Sequence, residues 1–402
     1  MNNKLYFLLL CVIVIGCSNK KSTTEQTQSI RSIPSPSKPN SGEPFLFTDM
    51  DSTVYLSWIE KSEEKSILKL SSFENDQWAE PMTISSGNSW FVNWADYPML
   101  AANGQHLVAH YLDKSGESTY AYDIKLTTSA DKGKTWSDPF VLHDDKKQAE
   151  HGFVTLLPYE DNFFITWLDG RNTAMEGMEA MDHHEGHHGN MSLRAAIIDS
   201  KGNKLKEWEL DNKTCDCCQT TAAITTNGPV VIYRDRSDEE IRDMSIVRLI
   251  DDQWTASKAI HNDNWKIAGC PVNGPRVAAE GNNLVAAWFS AANDTAHVNV
   301  IFSPDGGATF GKPIRIDEGG AIGRVDIAMI DDKSAMVSWM EGTMIKVAKV
   351  HLNGTIEPSV TIATSSESRS SGFPQMTKYG NQLIFAWTDD NEKNIKVASI
   401  KL

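Results

Sequence analysis

Seven times along the chain an apolar run ends in an aromatic residue, followed two positions later by an acid or, once, a serine. The aromatics are Trp58, Tyr111, Trp167, Tyr233, Trp288, Trp339 and Trp387; the partners are Glu60, Asp113, Asp169, Asp235, Ser290, Glu341 and Asp389. Successive copies lie 48 to 66 residues apart. A unit of that length holds four short strands but cannot bury its apolar face without neighbours. The spacing therefore predicts an all-β chain, a single β-propeller of four-stranded blades. Seven blades match the seven copies; six is the alternative if one unit is misread. The last unit supplies only three strands before Leu402. A strand near Ile30 to Ile33 is expected to complete it, closing the ring and removing an exposed sheet edge.

A chain of 402 residues would ordinarily hold two or three domains. The repeat replaces them with one ring over residues 44–402. The net charge of −15 excludes the basic footprint that nucleic acid requires and disfavours anionic membrane surfaces. A small anionic ligand is compatible only where arginines gather locally.

The first sixteen residues read as an export leader, with Lys4 ahead of a short apolar run from Leu5 to Ile15. Val14-Ile15-Gly16-Cys17 resembles the lipobox of bacterial lipoproteins. The resemblance implies cleavage before Cys17 and lipidation of its thiol. With Ser18 next rather than an aspartate, it also implies an outer-membrane lipoprotein facing the periplasm or the cell surface. The lipid would be the only membrane contact. Residues 17–43, rich in Ser, Thr, Lys and Pro, read as a flexible tether.

Two segments, Ser129 to Trp136 and Ser303 to Phe310, fit the pattern S-x-D-x-G-x-T-[WF]. The Ser and Asp side chains can bond nearby backbone amides and so staple a hairpin. These segments match the Asp box of the sialidase superfamily, also called the BNR repeat, and the chain resembles that superfamily. Degenerate versions occur at Ser72 to Trp78 and Leu249 to Trp254. The boxes are structural. The resemblance further implies a carboxylate-binding set of arginines, an Asp acid/base and a Tyr nucleophile activated by a Glu. The superfamily's early Phe/Tyr-Arg-Ile-Pro motif has only a loose counterpart in Ile30 to Pro34.

Because strands alternate in direction, the turns between third and fourth strands share one face. The loops between second and third strands, and the crossings between blades, share the other, where propellers bind ligands. Arg171, Arg234, Arg236, Arg242, Arg276 and Arg324 all map there. The planar guanidinium suits carboxylates, so Arg171, Arg234, Arg236, Arg276 and Arg324 are candidate substrate-binding residues. The bland reading is that each pairs with a neighbouring acid, as Arg234 could with Asp235. Asp96 and Asp169 are the candidate catalytic acids by position.

Four cysteines remain beyond the leader and Cys17: Cys215, Cys217 and Cys218 in one crossing, Cys270 in the next. In an exported protein they read first as disulfides pinning adjacent crossings. Three cysteines within four residues pair awkwardly, however, and a thiolate site for copper or zinc is the second reading. The long loop before Met191 adds His183, His184, His187 and His188, with several methionines, as further metal candidates. Its bland reading is an exposed polar insertion.

Two functions of different class follow. One is a sialidase-like propeller that binds acidic glycans, and as an exo-sialidase-like hydrolase also cleaves them. The alternative is a non-enzymatic propeller that binds copper or zinc, or docks a protein partner.

Overall fold

The computed structural model describes residues 29–173 and 189–402. These form seven antiparallel sheets arranged as blades, and the first strands of successive blades touch all the way around the ring. Blade three shows the unit: His151–Tyr159, Asn162–Asp169, Ser192–Ile198 and Lys204–Asp211, hydrogen-bonded in that order. In blades one and four the outer strand is split into two short pieces that both pair with the third strand. Helix among the described residues is limited to two single turns, Ala292–Asp294 and Arg369–Ser371. Seven copies of the sequence unit thus make seven blades.

The repeated aromatic-x-acid pattern has a direct physical cause. Residues two apart on a strand point to the same side. An indole N–H that packs between blades therefore finds its acceptor two positions on. Trp58 donates to Glu60 at 3.2 Å, Trp167 to Asp169 at 2.9 Å and Trp339 to Glu341 at 3.0 Å. In blade five, where Ser290 replaces the acid, Asp263 from the preceding crossing accepts from Trp288 at 2.6 Å. The bond lets each large ring be wholly buried without stranding its donor.

The ring closes as the sequence suggested. Arg31–Ile33 pairs antiparallel with Asn394–Lys401, placing Arg31 opposite Ser399 and Ile33 opposite Val397. Ile33 is buried among Leu46, Val54 and Val397. Within the segment assigned to the tether, Arg31–Ile33 thus belongs to the last blade, and the strand Ser41–Thr48 of the first blade begins before residue 43. Arg31 itself pairs with Asp76 at 3.3 Å, both side chains exposed.

Both Asp boxes have the same bonding. Ser129 Oγ accepts from the Gly133 amide at 2.9 Å and Asp131 from the Thr135 amide at 2.9 Å. Ser303 and Asp305 repeat this with Gly307 and Thr309 at 2.8 Å each. The two degenerate segments are different devices. They are two-residue hairpins in which Asn75 and Asp76, or Asp251 and Asp252, all take positive φ. Such turns match strand twist and suit Asn and Asp.

On the opposite face the crossings enter the first strands through β-bulges. Registers shift between Gly42 and Phe45, Gly152 and Thr155, and Gly323 and Asp326. In each, the residue after the glycine has positive φ: Glu43, Phe153 and Arg324. Such backbone is costly for a residue with a Cβ, by about 1–3 kcal/mol. Bulges of this kind re-aim side chains at the end of a strand.

Candidate functional site

The crossing before blade two sends Trp94 and Tyr97 toward the axis, where both pack against Phe373 from the crossing before blade seven, with ring centroids 5.7 and 6.0 Å away. Three arginines surround this aromatic cluster. Arg276, from blade five, lies over Tyr97 at 5.7 Å. Arg324, from blade six, lies over Trp94 at 5.2 Å, and Arg369 lies over the same ring at 5.9 Å. Residues far apart in sequence thus form one cationic and aromatic cluster at the crossings, on the face where the central funnel of a propeller opens.

The three cations differ in how they are held. Arg324 donates to Ser371 Oγ and to the carbonyls of Glu367, Ser368 and Gly372 at 2.7 to 3.2 Å. Among the described residues no carboxylate lies within ion-pair distance of it or of Arg369. Burial, reinforced by the charge of Arg369, lowers the Arg324 pKa to about 10. Arg276 has one ion pair, to Asp326 at 3.6 Å, and no hydrogen bond among the described residues. Its side chain is 10% exposed, and burial lowers its pKa as well. The Tyr97 hydroxyl beside it is buried, also without a hydrogen-bond partner among the described residues.

Beside the funnel lies a cluster of acids. Tyr122 Oη donates to Glu150 at 2.9 Å, and Asp96 lies against both Tyr122 and Gly152. Burial pushes Asp96 up to about 7, against the opposing effect of the Phe153 amide and Tyr122. Burial also pushes Glu150 up to about 8, with the charges of Asp96, Asp216 and Cys270 adding to it. Tyr122 is raised further still by burial and by these two carboxylates. Phe91 stacks on the Tyr122 ring at 4.2 Å and covers it.

Asp96 has a structural counterpart. Its Oδ1 accepts the amide of the bulge residue Phe153 at 2.8 Å, and Asn273 accepts the amide of the bulge residue Arg324 at 2.8 Å. A Cβ on the preceding glycine would come within 2.0 Å of Asp96 Oδ2 at Gly152, and 2.2 Å of Asn273 Oδ1 at Gly323. Glycine is required at both positions for this close approach. Asp326 makes a related contact, accepting from the Met376 amide at 2.6 Å.

The other sequence-derived candidates are placed differently. Asp169 is fully buried and bound on both oxygens by Trp167 and Arg171, which leaves it no lone pair directed at a substrate. Arg171 is the other half of that ion pair, at 2.8 Å on two nitrogens. Arg234 is buried over Trp265 and donates to the carbonyls of Arg242, Asn273 and Phe289. Arg236 is clamped by Glu240 at 2.7 Å. These three arginines hold loops together rather than facing the funnel, which takes only Arg276 and Arg324 of the five. Arg369, Tyr122 and Glu150 were not anticipated. Glu150 stands in a crossing segment visible in sequence, whereas Tyr122 lies on a strand and carries no local signal.

Three of the four cysteines come together. Cys215 Sγ lies 3.9 Å from Cys217 Sγ and 3.8 Å from Cys218 Sγ, all three sulfurs lie within 4.8 Å of one another, and Cys270 in the next crossing lies outside that group. All four are free thiols, since these separations far exceed a disulfide bond of about 2.05 Å. The expected disulfides are therefore not formed. A second cluster stacks His143 on His151 at 3.6 Å, bridged by Asp145 at 2.6 and 3.2 Å. Cys17 and the histidines His183, His184, His187 and His188 lie outside the described residues.

No protein-family model matches the sequence, and no curated protein matches it. Solved structures do resemble it. The polysaccharide lyase Uly1 superposes with a TM-score of 0.54 at 9% identity, over 90% of each chain. The GH93 α-L-arabinofuranosidase of Fusarium graminearum, solved with arabinobiose, gives 0.50 at 12% identity, over 92% of this chain and 95% of that one. A puromycin-hydrolyzing peptidase of Mycobacterium tuberculosis gives 0.51 at 10% identity, over 91% of this chain and 55% of that one. At these identities the likeness is one of fold. The fold they share is the seven-bladed β-propeller.

Proposed function

We propose that the axial funnel binds an acidic glycan, with Arg276 as the group that receives its carboxylate. The observation that carries this reading is the state of Arg276. A largely buried guanidinium with five N–H donors, one carboxylate at 3.6 Å and no side-chain hydrogen bond among the described residues has donors free to receive a ligand. Arg324 and Arg369 add positive charge at the same place in a protein of net charge −15. Carbohydrate as the ligand class accords with a polysaccharide lyase and an arabinofuranosidase sharing the fold.

Binding is favoured over hydrolysis. The resemblance implies a Tyr–Glu pair and an Asp, and Tyr122, Glu150 and Asp96 supply those residue types in contact. Tyr122 is covered by Phe91, however, and Asp96 serves a bulge as Asn273 does. The lipobox-like segment supports an anchored protein, with Cys17 as the lipidated residue.

Titration calorimetry of the mature chain with sialyllactose, a glucuronate oligosaccharide and neutral lactose tests the reading. Saturable binding of an acidic sugar but not of lactose, weakened at least tenfold in Arg276→Gln, is expected. Equal affinity for lactose, no binding of either acid, or an unchanged Arg276→Gln variant would reject it.

A further inference from the structure

We propose that Cys215, Cys217 and Cys218 form a thiolate site for one soft closed-shell cation, Zn(II) or Cu(I), with Cys270 drawn in from the next crossing as the fourth ligand. The crossing that enters blade four carries three of these thiols and the crossing that enters blade five carries the fourth.

Geometry is the first support. A tetrahedral ion with metal–sulfur bonds of about 2.3 Å sets its sulfurs about 3.8 Å apart. The two separations from Cys215 are 3.8 and 3.9 Å, and all three Sγ atoms lie within 4.8 Å of one another. A disulfide uses two sulfurs, whereas an ion uses all of them. Sulfur-only donors select soft cations over oxygen-seeking ones such as Mg(II) or Ca(II).

The surroundings are the second support. Arg242 donates to Cys215 Sγ at 3.2 Å and is itself held by Glu240 at 2.8 Å. Three or four thiolates around one ion leave net negative charge, and a guanidinium hydrogen-bonded to a ligating sulfur offsets it and orients the ligand. The Cys215 amide bonds the Arg234 carbonyl at 3.1 Å, fixing the start of the motif on blade four. Cys215 and Cys218 are buried, Cys217 is half-buried and Cys270 is exposed, so the fourth ligand lies on the solvent side where an ion enters. On binding, each S–H bond is replaced by a sulfur–metal bond and one proton passes to solvent, with no change of oxidation state. The ion would fix the crossing that enters blade four and, through Cys270, tie it to the next.

The test uses the mature chain, expressed without a polyhistidine tag, purified anaerobically and loaded separately with Zn(II) and with Cu(I). One equivalent of metal is expected, with a sulfur shell at about 2.3 Å in X-ray absorption. Competition with a Cu(I) chelator and with a Zn(II) chelator decides which ion is held more tightly. Cys218→Ser and the exposed Cys270→Ser are each expected to weaken binding at least tenfold, with circular dichroism unchanged. A variant with alanine at 183, 184, 187 and 188 is expected to retain the sulfur-bound ion. The proposal fails if the anaerobic protein takes up neither ion. It fails equally if its mass shows 215, 217, 218 and 270 already oxidised to disulfides, or if the histidine variant loses the metal while Cys218→Ser keeps it.

Discussion

Asp96 and Asn273 perform the same contact three blades apart: each accepts the amide of a left-handed bulge residue at 2.8 Å, with a glycine beneath its side chain. The propeller therefore uses a carboxyl in one crossing where it uses an amide in another. A protonated carboxyl is the near-isostere of an amide. Burial of Asp96, which raises it to about 7, makes the pair chemically alike at mildly acid pH.

Stability should carry the mark of these raised carboxyls. A carboxyl held above its unfolded value of about 4 binds its proton more tightly in the folded state. Its contribution is full below that value and declines as pH rises toward about 7 for Asp96 and about 8 for Glu150. Asp96→Asn and Glu150→Gln should fold, and each should flatten the fall in Tm between pH 5 and 8. A slope equal to that of the parent in both variants would contradict the assigned shifts.

Arg276 should matter to binding at every pH, and to stability mainly where Asp326 is charged. Arg276→Met removes a buried cation whose one ion-pair partner among the described residues is Asp326 at 3.6 Å, and it leaves that carboxyl its amide donors from Ile327 and Met376. Stranding one charge of a buried pair ordinarily costs about 3–5 kcal/mol. Burial already raises the Asp326 pKa, and without the guanidinium it rises further, so protonation of Asp326 limits the cost as pH falls. Urea unfolding should show a smaller loss in Arg276→Met at pH 5 than at pH 8, while affinity for acidic glycan falls at both. An equal loss at both pH values would contradict this coupling.

The aromatic-x-acid contact should be worth most where it is driest. Glu341 is buried and accepts from Trp339 and from the Glu318 amide, both at 3.0 Å. Glu341→Ala strands the buried Trp339 indole, also removes the acceptor of the part-buried Glu318 amide, and should cost about 2–3 kcal/mol. Glu60 is only half-buried, so water can replace it and Glu60→Ala should cost about 1 kcal/mol or less. Chemical denaturation of the two variants side by side checks the order.

Closure of the ring rests on three residues. Ile33 is buried in the seam between the first and last blades, whereas Ile30 is exposed. Ile33→Ala should cost at least about 2 kcal/mol, and Ile30→Ala almost nothing. Equal midpoints in thermal melts would show that the seam does not depend on this strand.

Blade number, strand order, the closing strand and the Asp boxes were all legible in the sequence. Each depends on contacts within one repeat or on the repeat itself. Trp167 and Asp169 meet because strand periodicity brings them to one side, and that periodicity is written locally. The face on which the arginines, acids and cysteines gather followed from strand alternation. Which of them look into the funnel did not. Arg234 and Arg276 are equally plausible in sequence, yet one is spent on the carbonyls of Asn273 and Phe289 while the other is left without a hydrogen bond. Tyr122 meets Glu150, and Trp94 meets both Arg324 and Arg369, only because the ring turns separate blades toward a common axis. Periodicity is a property of neighbouring residues and can be read along the chain. Convergence at the axis depends on the bulges and rotamers of distant segments, and only the folded ring decides it.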